Sequence, residues 1–340
     1  QTLLTEGKLI KNGELAQAGY STYTAREYSR KDIKSSKWKI KEWDYYIVTD
    51  GKKAVALTVA DNGYMSLVSA SFLNFEKPEY KTSSEIKFFS FGKIGMPSQP
   101  ENGDVLYRSK RIDISFVKKE TSRTLKCKFS DFWDKTDFEC EFLLTGFPKD
   151  QMTIATPFNK KRAFYYNVKI NCMKAVGYCI VKGKKYDFDG ENSLGTLDWG
   201  RGVWTYKNTW YWSSLQTRLD DGRTFGFNLG YGFGDTSAAS ENMLFLDGAA
   251  HKLDKVVFNI PKKKGKDDFM SPWTFYDNEG RLQLYFYPII DRKDITDIGV
   301  IASYQHQVFG RFNGTVVLND GTELKIIDKT GFAEKVYNKW

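Results

Sequence analysis

Residues 45–73 read YYIVTDGKKAVALTVADNGYMSLVSASFL. Three runs rich in β-branched and aromatic residues are separated by the pairs Asp50-Gly51 and Asn62-Gly63. Asp-Gly and Asn-Gly pairs adopt positive φ at low cost, which favours tight two-residue hairpin turns. The stretch therefore predicts an antiparallel meander of three strands, Tyr45–Thr49, Lys53–Ala60 and Tyr64–Leu73.

The same turn signal recurs through the rest of the chain, with short β-rich runs between its copies. It is found at Asn102-Gly103, Asp189-Gly190, Asp221-Gly222, Asp247-Gly248, Asn313-Gly314 and Asp320-Gly321. Strands at this spacing predict an all-β fold, either an antiparallel sandwich or a barrel. The C-terminus differs, because Phe332, Val336 and Trp340 are four apart and predict a short helix over residues 331–340.

The length and composition are those of a globular protein with one large or two ordinary domains. The chain has 340 residues, of which 16% are aromatic, a share that suits strands and barrel interiors. The two halves have similar β texture and no Pro/Gly/Ser-rich linker between them. We place a boundary near residue 205, giving an N-terminal β-domain at 1–205, with an irregular N-terminal arm, and a C-terminal β-domain at 206–340.

The net charge of +9 is compatible with an anionic partner. Most lysines are scattered singly, and the one compact run, Lys262, Lys263, Lys264 and Lys266, is flanked by Pro261 and acidic residues as in a charged loop. We find no nucleic-acid-binding motif and expect no nucleic-acid partner. No run of about 18 apolar residues occurs, so we expect no transmembrane segment.

The four cysteines do not have the spacing of a metal or redox motif. Cys127, Cys140, Cys172 and Cys179 form no two-residue pair, and only two histidines are present to assist them. We expect no metal and no cofactor, four reduced thiols, and a cytoplasmic location. The chain begins at Gln1 rather than Met, so a trimmed signal peptide stays an open alternative.

A stretch rich in tryptophan and glycine, residues 190–216, lies just past the middle of the chain and contains the first candidate site. Its Leu-Asp-Trp-Gly-Arg-Gly segment sets Asp198 and Arg201 among glycines that allow a bulge or sharp bend. Asp198 could be a general acid, with Arg201 as its electrostatic partner. The alternative is a structural ion pair that fixes the junction of two halves.

A glycine-rich strand and the loop after it form the second candidate region. In residues 223–234, alternation places glycines and Asn228 on one face, leaving room for a ligand or for the preceding tryptophan strand. Asp235 and Glu241 follow, and paired carboxylates suit glycoside hydrolysis or metal binding. A loop held by side-chain-to-backbone hydrogen bonds is the alternative for this pair.

His306 is the one attractive imidazole base in the sequence. Alternation puts Tyr304, His306 and Val308 on the same face of a strand, whereas His251 follows a turn and looks exposed. A hydrogen-bonded structural role is the alternative for His306. No nucleophile elbow, P-loop or zinc-protease motif occurs.

Several of these motifs resemble domain-of-unknown-function family 2804 over nearly the whole chain. The matching segments are residues 41–46, 197–204, 230–237, 241–245 and 306–314. More distantly, Gly195-Thr196-Leu197-Asp198-Trp199-Gly200 is similar to a signature of the carotenoid-hydratase (hydroxyneurosporene-synthase-like) proteins. That resemblance implies two lipocalin-like (calycin) antiparallel β-barrels in tandem and relatives that act on apolar substrates. The relatives follow the aspartate with His-Glu, where this chain has Trp199 and Gly200.

Together these observations predict binding of an apolar or lipid-like small molecule in or between two barrels, with possible hydratase, isomerase or cyclase chemistry. The catalytic candidates are Asp198, Arg201 and His306. The ligand-binding candidates are Trp199, Trp204, Trp210, Trp212, Asn228, Tyr231, Asp235, Glu241, Asn242 and Arg311. A carbohydrate-active protein and a non-catalytic structural protein are the alternatives, and the oligomeric state is left open.

Overall fold

The computed structural model describes residues 1–297, 299 and 301–339. These residues form strands joined by turns and by two short 3-10 helices, Arg30–Asp32 and Lys37–Lys39, without an α-helix. The strands in chain order are β1 Gly7–Lys8, β2 Ile10–Lys11, β3 Glu14–Leu15, β4 Gly19–Ser21, β5 Arg26–Glu27, β6 Ile40–Thr49, β7 Lys53–Asp61, β8 Met65–Asn74, β9 Glu79–Phe88, β10 Val105–Arg108, β11 Ile112–Lys119, β12 Ser122–Trp133, β13 Thr136–Thr145, β14 Met152–Pro157, β15 Phe164–Val181, β16 Lys184–Val203, β17 Lys207–Arg218, β18 Thr224–Tyr231, β19 Met243–Leu246, β20 Ala249–Lys252, β21 Val256–Asn259, β22 Lys262–Lys263, β23 Lys266–Asp267, β24 Trp273–Asp277, β25 Leu282–Asp297, β26 Ala302–Val317 and β27 Glu323–Lys339.

The first large sheet is antiparallel and takes its strands from the N-terminal part of the chain. Its order is β10-β11-β12-β13-β15-β16-β6-β7-β8-β9, with β14 added on β15 and β4 on β14. The meander predicted from the two Gly-containing turns is confirmed as β6, β7 and β8, which pair in sequence. The long strands β15 and β16 place residues 194–203 at the centre of this sheet, between β15 and β6.

The second large sheet is also antiparallel and lies after residue 206. Its order is β20-β19-β18-β17-β27-β26-β25-β24-β21. Each large sheet curls and buries a core of its own, which confirms the all-β, barrel-like prediction. Among the described residues, no helix has both the length and the apolar character needed to cross a membrane.

The two sheets pack against each other through the faces that point away from their own cores. Side chains alternate along a strand, so Tyr45 and Ile47 of β6 point toward the second sheet and join Trp212 and Phe332 in a shared cluster. Polar contacts cross the junction as well. Gln216 Nε2 donates to the Leu194 carbonyl at 3.1 Å. The junction is therefore a buried interface with its own hydrophobic core.

The predicted C-terminal helix is wrong. Residues 331–339 lie in β27, which pairs with β17 on one side and β26 on the other, and Trp340 lies outside the described residues. A spacing of four residues fits one face of a strand as well as one face of a helix. Pairing with two neighbouring strands decides the conformation here.

The cysteines are all buried and none is in a disulfide. Burial raises the pKa of each thiol, which makes the thiolate scarce. Within the residues that the structure describes, no group of three or more His, Cys, Asp or Glu side chains is arranged to hold a metal ion.

Candidate functional site

The candidate site lies where the two sheets face each other, and Asp198 on β16 is its first charged group. The Asp198 Oδ1 atom accepts a hydrogen bond from Asn167 Nδ2 at 2.6 Å. Its Oδ2 atom lies 2.9 Å from Lys169 Nζ, in a pair whose side chains are both nearly buried. Both partners come from β15. A buried carboxylate with an ion pair and a hydrogen bond is well satisfied.

A chain of contacts leads from this ion pair into the second sheet. Lys169 Nζ lies 3.6 Å from the centre of the Trp212 ring, and Trp212 Nε1 donates to Asn228 Oδ1 at 2.7 Å. Asn228 Nδ2 in turn donates to Glu241 Oε2 at 3.1 Å. Burial raises the pKa of Glu241, against the opposing effects of Lys169 and Asn228.

The glycines of β18 make room for groups from elsewhere in the junction. A Cβ atom on Gly230 would lie 2.6 Å from the Glu241 carboxylate, and one on Gly226 would lie 2.5 Å from Cys172 Sγ. The close neighbours of the glycine face are thus Glu241 and strand β15 of the first sheet.

Glu334 on β27 is a second buried carboxylate of the junction. Its Oε1 accepts from Trp210 Nε1 at 2.9 Å and its Oε2 accepts from Gln307 Nε2 at 2.9 Å. Burial raises the pKa of Glu334 to about 7, although these hydrogen bonds and the nearby cations Lys169 and Arg292 act in the opposite direction. A carboxyl with such a pKa carries a proton for much of the time at neutral pH.

Aromatic rings cover this group of polar side chains on one side. We call Trp43, Tyr165, Trp204, Trp210 and Phe233 the aromatic layer. Trp204 makes edge contacts with Trp43, Trp210 and Phe233 at centroid distances of 5.4, 5.7 and 4.8 Å. Tyr165 stacks on Trp43 at 6.1 Å and meets Phe233 at 4.7 Å.

The aromatic layer is in electrostatic contact with the acids beneath it. Burial raises the pKa of the Tyr165 hydroxyl, and the carboxylates of Glu241, Asp198 and Glu334 raise it further. Tyr165 is thus close enough to all three acids for their charges to affect its pKa. Trp204 Nε1 is a buried donor with no hydrogen-bond partner among the described residues.

Cavities lie beside the junction. An open hollow of about 280 Å³ is lined by Phe158, Asn159, Thr205, Lys207, Asn208, Thr209, Gly232, Gly234 and Asp235. Phe158 contacts Phe233 of the aromatic layer at 5.1 Å, so the layer lies next to the hollow. A second cleft, beside Ile47 and Phe332, has a volume of only about 20 Å³, room for about one water molecule.

The predicted pairing of Asp198 with Arg201 is not found, because the two side chains point to opposite faces of β16. Residues 194–203 pair regularly with β6 and contain no bulge, and positions three apart on a regular strand face opposite ways. Arg201 instead lies inside the first sheet, with its Nη2 3.0 Å from Asp44 Oδ1. Lys118 Nζ lies 3.1 Å from the other oxygen of Asp44, and all three side chains are fully buried.

Trp199 and Tyr231 also point away from the junction. Trp199 is fully buried inside the first sheet, 4.1 Å from the Arg201 guanidinium. Tyr231 stacks on Tyr211 at 4.5 Å, packed against the core of the second sheet. Both residues follow the alternation of their strands, which separates them from neighbours that face the junction.

His306 does not lie on the junction face of β26. The next residue, Gln307, bonds Glu334, so His306 points to the opposite face. Its Nδ1 lies 2.8 Å from Asp291 Oδ2, and its ring stacks on Phe269 at 3.9 Å. The structure therefore separates His306 from Asp198.

The remaining candidates have varied positions. Asn242 joins two segments, since its Oδ1 accepts from the Gly230 amide at 2.7 Å and its Nδ2 donates to the Asp254 carbonyl at 2.8 Å. Asp235 is exposed at the hollow and accepts from the Ser237 amide at 3.0 Å. Arg311 bonds the Asp328 carbonyl, away from these groups. Of the predicted site residues, Asp198, Trp204, Trp210, Trp212, Asn228 and Glu241 come together at the junction.

A family model of a domain of unknown function, DUF2804, matches residues 1–340. The chain belongs to the DUF2804 family. Comparison of its sequence with curated proteins gave no match. The resemblance predicted from the sequence motifs is confirmed over the whole chain.

Solved structures share the fold of this DUF2804 chain at low sequence identity. The AttH structure from Nitrosomonas europaea has a TM-score of 0.56 and 13% identity, covering 93% of this chain and 98% of that one. Kievitone hydratase from Nectria haematococca has a TM-score of 0.53 and 12% identity, covering 100% and 98%. CghA, solved with Sch210972, has a TM-score of 0.53 and 10% identity, covering 99% and 97%. These matches show that the chain shares the fold of these proteins.

Two charged residues of the junction in this DUF2804 chain, Lys169 and Glu334, were not among the predicted site residues. Glu334 belongs to the segment predicted to be a helix, and Lys169 lies in β15. For Glu334 a signal was present, since its isolated charge lies between two apolar residues of an alternating run. Lys169 gave no such signal, because Asn167 and Asn171 are its neighbours on the same face. Phe332, Glu334 and Val336 share one face of β27.

Gly200 fixes the position of one ring of the aromatic layer in this DUF2804 chain. A Cβ atom there would lie 1.9 Å from Trp43 Cζ2, so the substitution Gly200→Ala must displace a rigid indole. We expect a loss of about 1–3 kcal/mol in the free energy of unfolding and a changed near-ultraviolet circular dichroism signal. Gly195→Ala is the matched control on the same strand, because its Cβ would meet the flexible end of Leu144 at 2.9 Å. Equal costs for the two variants would contradict this role of Gly200.

Proposed function

We propose that this chain binds an apolar small molecule between its two sheets and that the buried carboxyl groups there act as general acids, as in a hydratase, isomerase or cyclase. We also propose that the sheets are two lipocalin-like barrels in tandem, at 1–205 and 206–340. The observation that carries the functional proposal is Glu334, a buried carboxyl with a pKa raised to about 7, next to an aromatic layer.

A carboxyl group with a pKa near the working pH is well matched to proton transfer. Structural ion pairs normally lower the pKa of their acid, whereas burial has raised that of Glu334 and of Glu241. Two such acids facing one aromatic surface are more typical of a functional site than of a structural ion pair. Asp198 is ion-paired with Lys169.

The geometry supports distinct roles for these groups. Glu334 is the proposed proton donor, because Trp210 and Gln307 hold its two oxygens in place. The Asp198–Lys169 pair supplies a fixed charge arrangement beside it. Trp204 Nε1, buried without a partner among the described residues, is a donor for an oxygen atom of the ligand.

The route into the site starts at the open hollow. Its volume of about 280 Å³ is close to the roughly 300 Å³ at which small-molecule pockets begin. Trp204 and Phe233 lie between the hollow and the acids, so an apolar ligand would displace or stack on these rings. Structures that share the fold include a hydratase and a protein solved with Sch210972, which is consistent with ligand binding by this architecture.

The test of this proposal is ligand retention and binding. Native mass spectrometry of protein purified from its own host should show a co-purifying apolar molecule, and a panel of polyenes and flavonoids should contain a binder. Trp204→Ala is expected to weaken binding at least about tenfold, equivalent to about 1.4 kcal/mol. Trp38→Ala, at an exposed tryptophan outside the aromatic layer, is the control. Absence of any binder, or equal losses in both variants, would count against the proposal.

Carbohydrate binding is the second candidate, favoured by the lining of the hollow. Asp235, Asn159, Asn208 and Lys207 present polar groups there beside the ring of Phe158. Glu241 does not line this hollow, so the predicted carboxylate pair is not assembled there. Binding of oligosaccharides that is abolished by Asp235→Asn and unaffected by Glu334→Gln would favour this alternative.

A further inference from the structure

A cluster of aromatic side chains is exposed at one end of the first sheet. We call Trp38, Phe88, Phe89 and Phe91 the aromatic tip. Trp38, Phe88 and Phe89 are 48%, 69% and 56% exposed. Trp38 contacts Phe89 and Phe91 at centroid distances of 5.8 and 5.0 Å. A contiguous group of exposed rings, unlike a single one, marks an interaction surface.

The loop that carries the aromatic tip is held in place from beneath. The buried carboxylate of Asp61 accepts hydrogen bonds from Ser90 Oγ and from the Gly92 amide, both at 2.8 Å. Phe89 and Phe91 have φ angles of 62° and 49°, a region that bulky residues avoid. Such backbone conformations are strained and persist only where the surroundings enforce them. The rings are therefore displayed by a fixed loop.

The exposed charges around the aromatic tip are mainly positive. The two segments that carry it, residues 33–41 and 86–100, contain lysines but no Asp or Glu. Lys34, Lys37, Lys87 and Lys93 are exposed. Lys87 lies 3.4 Å from Glu85, which precedes the second segment. The surface thus combines apolar rings with a local excess of positive charge.

We propose that the aromatic tip docks on the surface of a lipid bilayer that contains anionic lipids. Aromatic rings are favoured at the level of the lipid headgroups, and lysines near an anionic surface add attraction. Protein interfaces are instead depleted of lysine. Single-stranded nucleic acid stacks on open ring faces, but here Trp38 meets Phe89 and Phe91 edge-on, at 83° and 74°. This proposal does not depend on the junction site.

The first experiment measures partitioning of the full chain onto vesicles by co-sedimentation. Vesicles of equimolar phosphatidylcholine and phosphatidylglycerol should bind the protein more strongly than phosphatidylcholine alone. The double variant Lys37→Gln/Lys93→Gln should lower the partition coefficient on the mixed vesicles about 30-fold, from about 1 kcal/mol per lysine. Lys263→Gln/Lys264→Gln removes the same charge from an exposed hairpin and should have a much smaller effect. Equal losses in the two double variants would overturn the proposal.

The second experiment tests the rings. Trp38→Ala/Phe88→Ala should abolish measurable binding to the mixed vesicles. The thermal midpoint should change little, because Phe88 is largely exposed and Trp38 about half exposed. Retained vesicle binding would overturn the proposal. Two other results would also overturn it. One is a wild-type dimer, seen by sedimentation velocity without lipid, that the double variant dissociates. The other is binding of a single-stranded oligonucleotide to the aromatic tip when the mixed vesicles do not bind. Those two outcomes would assign the surface to a second copy of the chain or to nucleic acid.

Discussion

The wild-type chain is expected to lose folding stability as the pH rises from about 4.5 to about 7. Glu334→Gln is expected to remove most of this pH dependence. The pKa of Glu334 is raised from 4.5 to about 7 by burial. A shift of this size corresponds to about 3 kcal/mol. This is a large fraction of the stability of a typical protein.

The sign follows from proton binding. Below the ordinary glutamate pKa both the folded and the unfolded chain carry the proton, so this residue adds no pH dependence. As the pH rises toward 7 the unfolded state loses its proton first, and ionisation favours unfolding. Stability supported by the protonated form is therefore complete below about pH 4.5 and is lost as the pH rises through about 7.

Urea unfolding of wild type and variant at several pH values between these limits would measure the effect. The glutamine also changes the hydrogen bond with Gln307, but that contribution is nearly constant with pH and does not affect the slope. Glu76→Gln, at an exposed glutamate, is the control and should leave the wild-type slope unchanged. A Glu334→Gln variant with the wild-type slope would refute the raised pKa and weaken the proposed acid role.

The hairpin pattern could be predicted from sequence because it is local. Asp50-Gly51 and Asn62-Gly63 each determine the turn between two strands that pair with one another. The C-terminal segment could not be assigned in this way. Phe332 and Val336 are four residues apart, a spacing that fits a helix and a strand equally. The strands that pair with this segment, β17 and β26, come from other parts of the sequence.

The sequence could predict only those contacts of the site that follow from the alternation of side chains along a strand. Trp212 and Asn228 meet because strands β17 and β18 are neighbours in sequence and in space. The true partners of Asp198 and Arg201 come from other strands, Lys169 from β15 and Asp44 from β6. Spacing within residues 197–202 carries no information about those strands, and proximity in sequence suggested a pair that the strand alternation separates.

The second large effect is expected at Asp44, the counterion of two buried cations. Asp44→Asn would leave Arg201 and Lys118 inside the first sheet without a negative partner, and all three side chains are fully buried. Breaking a buried ion pair on one side costs about 3–5 kcal/mol. Burial alone would raise the pKa of Asp44, but Lys118 and Arg201 hold it below its ordinary value, so the carboxylate is charged in the native state.

The control for this prediction is an ion pair at the surface. Arg108 Nη2 lies 2.6 Å from Asp113 Oδ2, with side chains that are 81% and 46% exposed. Asp113→Asn should cost less than about 1 kcal/mol, because solvent screens an exposed pair. Urea unfolding at neutral pH compares the two variants directly.

The pH dependence of the Asp44→Asn variant gives a second, independent measurement. Burial lowers the pKa of Lys118 even with Asp44 present, and loss of the carboxylate should lower it further. The folded variant then binds fewer protons than the unfolded chain, so its stability should rise toward alkaline pH as Lys118 becomes neutral. Arg201 in the variant keeps its hydrogen bonds to the carbonyl groups of Trp43, Gly200 and Pro97. An Asp44→Asn variant as stable as wild type at neutral pH would mean that these carbonyl groups are enough to stabilise the buried guanidinium. Arg201 would then again be a candidate for a functional residue.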